Sequence, residues 1–443
     1  MSLRIPHFAL IFMALLVACL PVSMAQAQTN RGDSETARYT VKRGDNLFDL
    51  AAKYFRRQQD YRTVQRINRI SDPRRIPVGT VLKVPYSLLK FRDESARVAA
   101  FRGTARISAK GKGARAPVLN ETLNEGVGLA TGAASSLSLA VSDGSTLTMP
   151  SNSVMRIVRL RRWLLTDSLD FDYALEEGAV RTKFNPARND DDRYRVRTPS
   201  AVSAVRGTEF RTRYDDASNT SYVELVEGSL DISGKNRGNA NLTPGFGAIV
   251  SGKALSKLEL LPAPNFVEGS GNQQDMRLNF SVEPVAEAVG YRLIVSRDSG
   301  FIEVVEDVRG EDNRFTLQEL ADGDYFARMS ALSDNGLEGM PSQVAFRRRL
   351  NSLSATVEET NSGFVFRWVG SGTGKKVYRL QIFKDDAPGQ PPIVDEAGLT
   401  ETSLTLSDLV PGSYRWRVGS TIFFDGKQEE NWTEFQTIRM DDE

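Results

Sequence analysis

Two stretches decide the fold of the N-terminal part of this chain: YTVKRGDNL at residues 39–47 and IPVGTVLKV at residues 76–84. The first starts as a short β-pattern and turns at Gly44 into a helix that Asn46 can cap. A second helix is predicted over residues 61–68, where apolar side chains recur at helical spacing, and Pro73 interrupts the chain after it. The second stretch then reads as a turn and a closing strand. The predicted order is therefore β-α-α-β.

These stretches, together with Asn68 at the end of the second helix, resemble the LysM family. The resemblance implies a shallow groove that binds β-1,4-linked N-acetylglucosamine-containing glycans such as peptidoglycan. It implies that one wall of this groove is formed by Gly44, Asp45, Asn46 and Leu47, and the other by Arg69, Ile70, Ile76 and Pro77. The alternative for each single residue is a purely structural role as a cap or a turn.

The composition fits several folded domains: the chain has 443 residues, of which 40% are hydrophobic and 26% charged. The formal net charge is +1, so the overall charge gives no indication of nucleic-acid binding. The charge is uneven, because residues 38–90 contain 13 Lys and Arg against four Asp. We interpret this excess as a solvated helix face that could also attract the anionic groups of a cell wall.

The first 27 residues read as a secretory signal peptide. Arg4 supplies the positive start, residues 8–20 are apolar, and Ala25-Gln26-Ala27 is a typical cleavage site. No later stretch has the length of a membrane-spanning helix, so none is expected in the mature chain. Residues 16–19 also resemble a bacterial lipobox, and Cys19 would then carry a lipid.

The chain contains one Cys and one His, Cys19 and His7, and both lie in this segment. Cleavage after Ala27 would remove them, and with them disulfides, Cys or His catalysis and thiolate or imidazole metal sites. We therefore predict no enzyme, no catalytic residue, no metal and no cofactor. A wall hydrolase that works with two carboxylates is the remaining catalytic alternative.

Residues 96–252 show short alternating runs, among them residues 146–149, 173–175 and 180–184, separated by Gly, Ser and Asn-Asp turns. This pattern predicts a β-domain with no helix of useful length. The run TPSAVSAVRGTEF at residues 198–210 and the echo VELVEGSL at residues 223–230 resemble the periplasmic FecR family. Within the run, Arg206 and Glu209 are interpreted as a charge-paired turn, with a recognition pair as the alternative. Regulators of that family relay signals across a membrane, whereas this sequence has no matching membrane span.

The last part of the chain is an internal repeat. FTLQELADGDY at residues 315–325 aligns with LTLSDLVPGSY at residues 404–414. Alternating strands around this motif predict two seven-stranded sandwiches that resemble fibronectin type III domains. Trp368 and Trp416 are expected in the core of the second sandwich.

The expected fold is thus multidomain and mainly β. Its predicted parts are a signal peptide (1–27), a βααβ LysM module (38–86), a FecR-like β-domain (96–252) and two sandwiches (262–349 and 352–440). The predicted function is a non-catalytic cell-envelope protein that binds peptidoglycan and presents the other domains to a protein partner, in the periplasm of a Gram-negative bacterium. An outer-membrane lipoprotein is the alternative location. An envelope sensor that uses the FecR-like domain is the first alternative function, and the wall hydrolase is the second.

Overall fold

The computed structural model describes residues 35–440 except 110, 112, 188, 190, 206, 236, 253, 268, 319, 361–362, 386–388, 408 and 425. The predicted signal peptide, with His7 and Cys19, lies outside the described residues. The chain divides into two compact units, one that ends at Leu89 and one that begins at Lys90.

The first unit has the β-α-α-β order. Its elements are β1 (Thr36–Thr40), α1 (Leu47–Tyr54), a 3₁₀ turn (Gln58–Asp60), α2 (Tyr61–Ile67), β2 (Val81–Pro85) and a second 3₁₀ turn (Tyr86–Leu88). Strands β1 and β2 pair antiparallel, with Tyr39 opposite Leu82. The helices bury Leu47, Leu50 and Val64 against this pair. The predicted order of this unit is confirmed.

The FecR-like domain consists of strands and turns in its described part. Its strands are β3 (Phe91–Asp93), β4 (Ala96–Arg102), β5 (Ala105–Ser108), β6 (Thr122–Leu123), β7 (Gly128–Thr131), β8 (Ser136–Val141), β9 (Thr146–Met149), β10 (Ser153–Trp163), β11 (Leu169–Lys183), β12 (Arg193–Arg197), β13 (Ala201–Val205), β14 (Glu209–Asp215), β15 (Thr220–Glu227), β16 (Leu230–Gly234), β17 (Gly238–Leu242), β18 (Phe246–Val250) and β19 (Leu255–Glu259).

Strand β11 joins the two layers of this domain. Its first part, up to Glu177, pairs with β10 and β12, and its second part, from Gly178, pairs with β9 and β14. The change of layer falls at Gly178, which has a φ of +76°. A Cβ atom at this position would overlap the carbonyl oxygen of Asn152. Only glycine fits this corner, because it combines a left-handed backbone with close approach of another strand.

The first sandwich contains β20 (Asn272–Gln273), β21 (Arg277–Ser281), β22 (Ala288–Ser296), β23 (Val304–Gly310), β24 (Arg314–Gln318), β25 (Gly323–Ser333) and β26 (Ser342–Arg348). One sheet has the order β20-β26-β25-β22-β23 and the other is the pair β21-β24. Leu278, Phe280, Leu293 and Phe346 are among the side chains buried between them.

The second sandwich contains β27 (Leu353–Thr360), β28 (Gly363–Gly370), β29 (Lys375–Lys384), β30 (Val394–Leu399), β31 (Ser403–Leu406), β32 (Gly412–Phe424), β33 (Lys427–Trp432) and β34 (Gln436–Met440). One sheet is β27-β28-β31; the other is β30-β29-β32-β33, with β34 also paired to β32. Trp368 and Trp416 are 1% and 0% exposed, which confirms that both belong to the core.

Each sandwich has a tyrosine corner at the motif that revealed the repeat. The Tyr325 hydroxyl donates to the Ala321 carbonyl at 2.9 Å, and the Tyr414 hydroxyl donates to the Val410 carbonyl. Both tyrosines are buried. This corner is a hallmark of immunoglobulin-type sandwiches, so the two repeats are fibronectin III-like.

The segment between the sandwiches is packed into the protein. Arg348 is buried and donates to the Gln273 carbonyl at 3.2 Å. Asn351 is fully buried, and its amide donates to the carbonyls of Ser420 and Glu429. The two sandwiches are therefore joined by hydrogen bonds as well as by the chain.

Candidate functional site

The first predicted wall of the glycan groove is a turn that Asp45 holds in place. Its carboxylate accepts a hydrogen bond from the Tyr39 hydroxyl at 2.7 Å and from the Lys42 amide at 2.8 Å. Burial, followed by the contact with Asp45, raises the pKa of Tyr39 well above its ordinary value, so the hydroxyl remains a donor. The Asp45 side chain thus has a structural task, and Gly44 beside it is exposed, with a φ of +93°.

Asn46 and Leu47 start helix α1 from this turn. The Asn46 side-chain oxygen accepts from the Asp49 amide at 3.0 Å, and the Asn46 amide donates to the Asp49 carboxylate at 2.7 Å. This reciprocal pair caps the helix, as predicted. Leu47 is fully buried, so only its backbone can contribute to a wall. Its amide donates to the Pro73 carbonyl at 2.9 Å, which ties the first wall to the segment that leads into the second.

The second predicted wall begins at the end of α2. Arg69 is exposed and has a φ of +54°. Ile70 is fixed by Gln65, since the Ile70 amide donates to the Gln65 backbone and the Gln65 side chain donates back to the Ile70 carbonyl, both at 3.0 Å. Ile76 is buried, whereas Pro77 is exposed. The exposed members of the two walls are therefore Gly44, Arg69 and Pro77.

Asn68 connects α2 to the closing strand. Its amide nitrogen donates to the carbonyls of Val64 and Lys83, both at 2.8 Å, and its oxygen accepts from the Lys83 amide at 2.7 Å. All these contacts are internal to the module. The position characteristic of the LysM pattern thus has a structural role here.

An aromatic pair stands next to the first wall and was not among the predicted site residues. The rings of Phe48 and Tyr61 lie 4.3 Å apart, and the Arg74 guanidinium lies 5.8 Å from the Phe48 ring centre. Both rings are half-buried. Apolar ring surface beside small and polar groups is the surface that a sugar face requires. The sequence signal for this pair was Phe48, an aromatic residue that follows the capped turn directly and lies outside the predicted buried face of α1.

A second candidate site lies where the FecR-like domain packs on the first sandwich. We call it the interdomain charge cluster; it consists of Arg181, Glu209, Arg211, Arg213 and Glu224 of the FecR-like domain and Arg292, Asp307, Arg309, Arg328 and Glu338 of the first sandwich. Apolar contact accompanies it, because Phe301 of the sandwich is fully buried. Its ring lies 4.1 Å from the Arg328 guanidinium and 5.6 Å from that of Arg181.

Glu338 is the centre of this cluster. Its carboxylate accepts from Arg211 and from Arg292, each at 2.8 Å, and from the Ser330 hydroxyl at 2.7 Å. Burial by itself would raise the pKa of Glu338, but the guanidinium groups of Arg211 and Arg292 hold it well below its usual range. The carboxylate is thus ionised although it is only 7% exposed.

Glu209 of the FecR-like motif contacts the first sandwich. Its carboxylate accepts from Arg328 of the first sandwich at 2.9 Å and lies 3.8 Å from Arg181. Arg206 lies outside the described residues, so its pairing with Glu209 stays a prediction. A residue near the end of the FecR-like motif thus binds the neighbouring domain.

Within residues 35–440, apart from the gaps given above, no group of three or more His, Cys, Asp or Glu side chains is arranged to hold a metal ion. In the same part of the chain, no helix has the length and apolar character needed to cross a membrane.

Comparison with known proteins gives two family matches. Residues 39–85 match the LysM domain family and residues 128–231 match the FecR protein family, which confirms both resemblances. The chain matches no curated protein sequence.

Among solved structures, the chain is similar to a candidate anti-sigma factor from Parabacteroides distasonis, with 16% identity and a TM-score of 0.26. That match covers 30% of this chain and 59% of the other, so this chain spans less than two thirds of that protein. A two-domain fibronectin type III segment of chicken tenascin matches with 17% identity and a TM-score of 0.20, over 41% of this chain and all of that one. The FN1–FN3 domains of chicken CNTN1 match with 13% identity and a TM-score of 0.22, over 65% of this chain and 98% of that one.

Proposed function

We propose that this chain is a non-catalytic, exported envelope protein that binds peptidoglycan through residues 39–85. The observation that carries the proposal is the match of this segment to the LysM domain family. In a Gram-negative bacterium the protein would lie in the periplasm, and the FecR-like domain and the sandwiches would serve a protein partner. Lipidation of Cys19 would instead place it at the outer membrane.

The geometry of the groove supports a glycan ligand. Gly44 has no atom within 4 Å of where its Cβ would lie, so a sugar acetamido group can approach the backbone there. Arg69 and Pro77 are exposed on the opposite wall. Phe48 and Tyr61 add apolar ring surface for the sugar face. Of the predicted wall residues, Asp45, Asn46 and Ile70 would mainly hold the loops, and Leu47 and Ile76 would support them from the core.

Sedimentation of the purified protein with isolated peptidoglycan sacculi tests this proposal. We expect the unaltered protein to pellet with sacculi and to be released by a soluble N-acetylglucosamine oligomer. The double variant Arg69→Asn, Pro77→Ala changes two exposed wall residues, and Asn accepts the positive φ at position 69. Loss of these contacts should weaken binding about tenfold, which corresponds to ~1.4 kcal/mol.

The matched control is Arg57→Asn, which removes the same charge from an exposed position whose contact is Asp60. It should pellet like the unaltered protein, because Arg57 belongs to neither wall of the groove. If both variants bind equally well, the groove is not the binding site. If the unaltered protein does not pellet, the anchoring role is wrong.

A signalling role is the second candidate, and the match of residues 128–231 to the FecR family favours it. In this role the FecR-like domain would bind a membrane protein and pass on the state of the envelope. Deletion of the gene should then alter a defined set of transcripts. A deletion strain that expresses the Arg69→Asn, Pro77→Ala variant shows whether this effect depends on wall binding. Unchanged transcripts in the deletion strain would exclude the signalling role.

A further inference from the structure

A cavity of about 50 Å³ lies within the interdomain charge cluster. Its lining includes six guanidinium groups and three carboxylates: Arg181, Arg211, Arg213, Arg292, Arg309 and Arg328 against Glu224, Asp307 and Glu338. Lining atoms come from the FecR-like domain and from the first sandwich. The cavity therefore has an excess of positive charge in an enclosed place, where an uncompensated charge is costly.

The carboxylates of the lining are already engaged by some of these arginines. Asp307 accepts both hydrogen bonds of a bidentate pair with Arg292, at 2.8 and 2.7 Å. Glu338 accepts from Arg211 and Arg292, and Arg309 comes no closer to it than 3.8 Å. Glu224 accepts from the Glu338 amide at 3.2 Å, and burial raises the pKa of its carboxyl group. Glu209, beside the lining, accepts from Arg328 at 2.9 Å and lies 3.8 Å from Arg181. The six guanidinium groups thus face four carboxylates, which leaves an excess of positive charge.

Two buried guanidinium N–H donors of the lining have no hydrogen-bond partner among the described residues. They are the Nε atoms of Arg211 and Arg328. Arg211 is 8% exposed, so water does not satisfy its Nε from bulk solvent. Arg181 is another arginine of the lining. Burial lowers its pKa to about 9, and the positive charge of Arg328 lowers it further. The same group of side chains thus combines unsatisfied donors with excess positive charge.

We propose that this cavity binds one small inorganic oxyanion of the phosphate or sulfate class. The cavity has room for roughly three to five waters, at ~10–15 Å³ each by the same measure, which is enough space for one such oxyanion. Its oxygens would accept from Arg211 and Arg328, since guanidinium forks match tetrahedral oxyanions well. Arg309, whose side chain is 49% exposed, lies where the ion would enter. Because its partners belong to both domains, the ion would stabilise their contact.

Thermal unfolding of the purified full chain tests this proposal. Sodium phosphate and sodium sulfate are titrated at constant ionic strength against sodium chloride, so that general screening is the same in each series. We expect the unfolding temperature to rise saturably with phosphate or sulfate, as for a ligand that binds the folded state alone. Isothermal titration calorimetry with phosphate should give one site per chain.

The variant Arg309→Gln removes one guanidinium group from the mouth of the cavity at a partly exposed position, so the fold should persist. We expect its half-maximal phosphate concentration to rise about tenfold, from the loss of one positive charge close to the ion. Arg297→Gln is the control, because Arg297 pairs with the exposed Glu303 of the same sandwich. The proposal is overturned if chloride gives the same rise, if phosphate gives no saturable rise, or if both variants respond as the unaltered protein does.

Discussion

Arg211 of the FecR-like domain donates a hydrogen bond at 2.8 Å to Glu338 of the first sandwich, and both side chains are buried. Arg211 also donates to the Gly339 carbonyl at 2.7 Å. The same carboxylate accepts from Arg292 of its own domain. A buried ion pair of this kind fixes a geometry, because each charge is tolerated only while its partner is in place. The FecR-like domain and the first sandwich should therefore unfold together.

Replacement of Glu338 by Gln tests this coupling. The change removes the negative charge and leaves Arg211 and Arg292 buried without it, which should lower the free energy of unfolding by about 3 kcal/mol or more. Urea unfolding followed by circular dichroism measures the effect. The control is Glu303→Gln, whose carboxylate is more than half exposed and pairs with an exposed arginine. The control should lie within about 0.5 kcal/mol of the unaltered protein. Equal stability of the two variants would mean that the charge cluster does not hold the domains together.

The lowered pKa of Glu338 predicts a specific loss of stability in acid. Because its folded-state pKa lies below the unfolded value of about 4.3, its contribution is fully present above that value. The contribution is lost as the pH falls toward the folded-state pKa. Stability should therefore drop between about pH 5 and about pH 2, and by less in Glu338→Gln, which lacks this group. Urea midpoints of both proteins at these pH values give the comparison. Parallel curves would show that Glu338 does not titrate as proposed.

The sequence predicts the local elements of this protein better than its domain contacts. The helix cap at Asn46, the strand at residues 146–149 and the core positions of Trp368 and Trp416 follow from local patterns, and the structure has all of them. Residues 173–175 and 180–184 read as two strands, because Gly178 interrupts the alternation. Up to Lys183 they belong to the single strand β11, which bends at that glycine.

The interdomain charge cluster is the part that sequence patterns could not predict. Arg211 and Glu338 each stand on or beside a strand where polar and apolar residues alternate, and such polar residues usually face water. Their burial depends on a face-to-face contact between domains that are distant in sequence. Likewise, the residues around Glu209 give no signal for its contact with Arg328 of the first sandwich. Pairings of this kind depend on tertiary geometry.

The two tyrosine corners should contribute similar stability to their sandwiches. Tyr325→Phe and Tyr414→Phe each remove one buried hydroxyl that donates to a carbonyl four residues earlier. Each should cost about 1–2 kcal/mol, since a carbonyl loses its partner while the ring stays in place. Urea unfolding of both variants measures the cost. If neither variant is destabilised, the corner hydrogen bonds do not contribute to stability and the repeat motif has another task.

The bend of β11 gives a matched pair of glycine substitutions. Gly178 and Gly398 have nearly the same backbone, with φ of +76° and +74°. A Cβ at Gly178 would meet the Asn152 carbonyl and Ser153, whereas a Cβ at Gly398 has no atom within 4 Å. Both Ala variants should lose about 1 kcal/mol from the left-handed backbone. Gly178→Ala should lose ~1–3 kcal/mol more, because its methyl group must displace the β10 edge. Thermal and urea unfolding of both proteins measure this difference, and equal losses would mean that backbone conformation alone requires glycine at the bend.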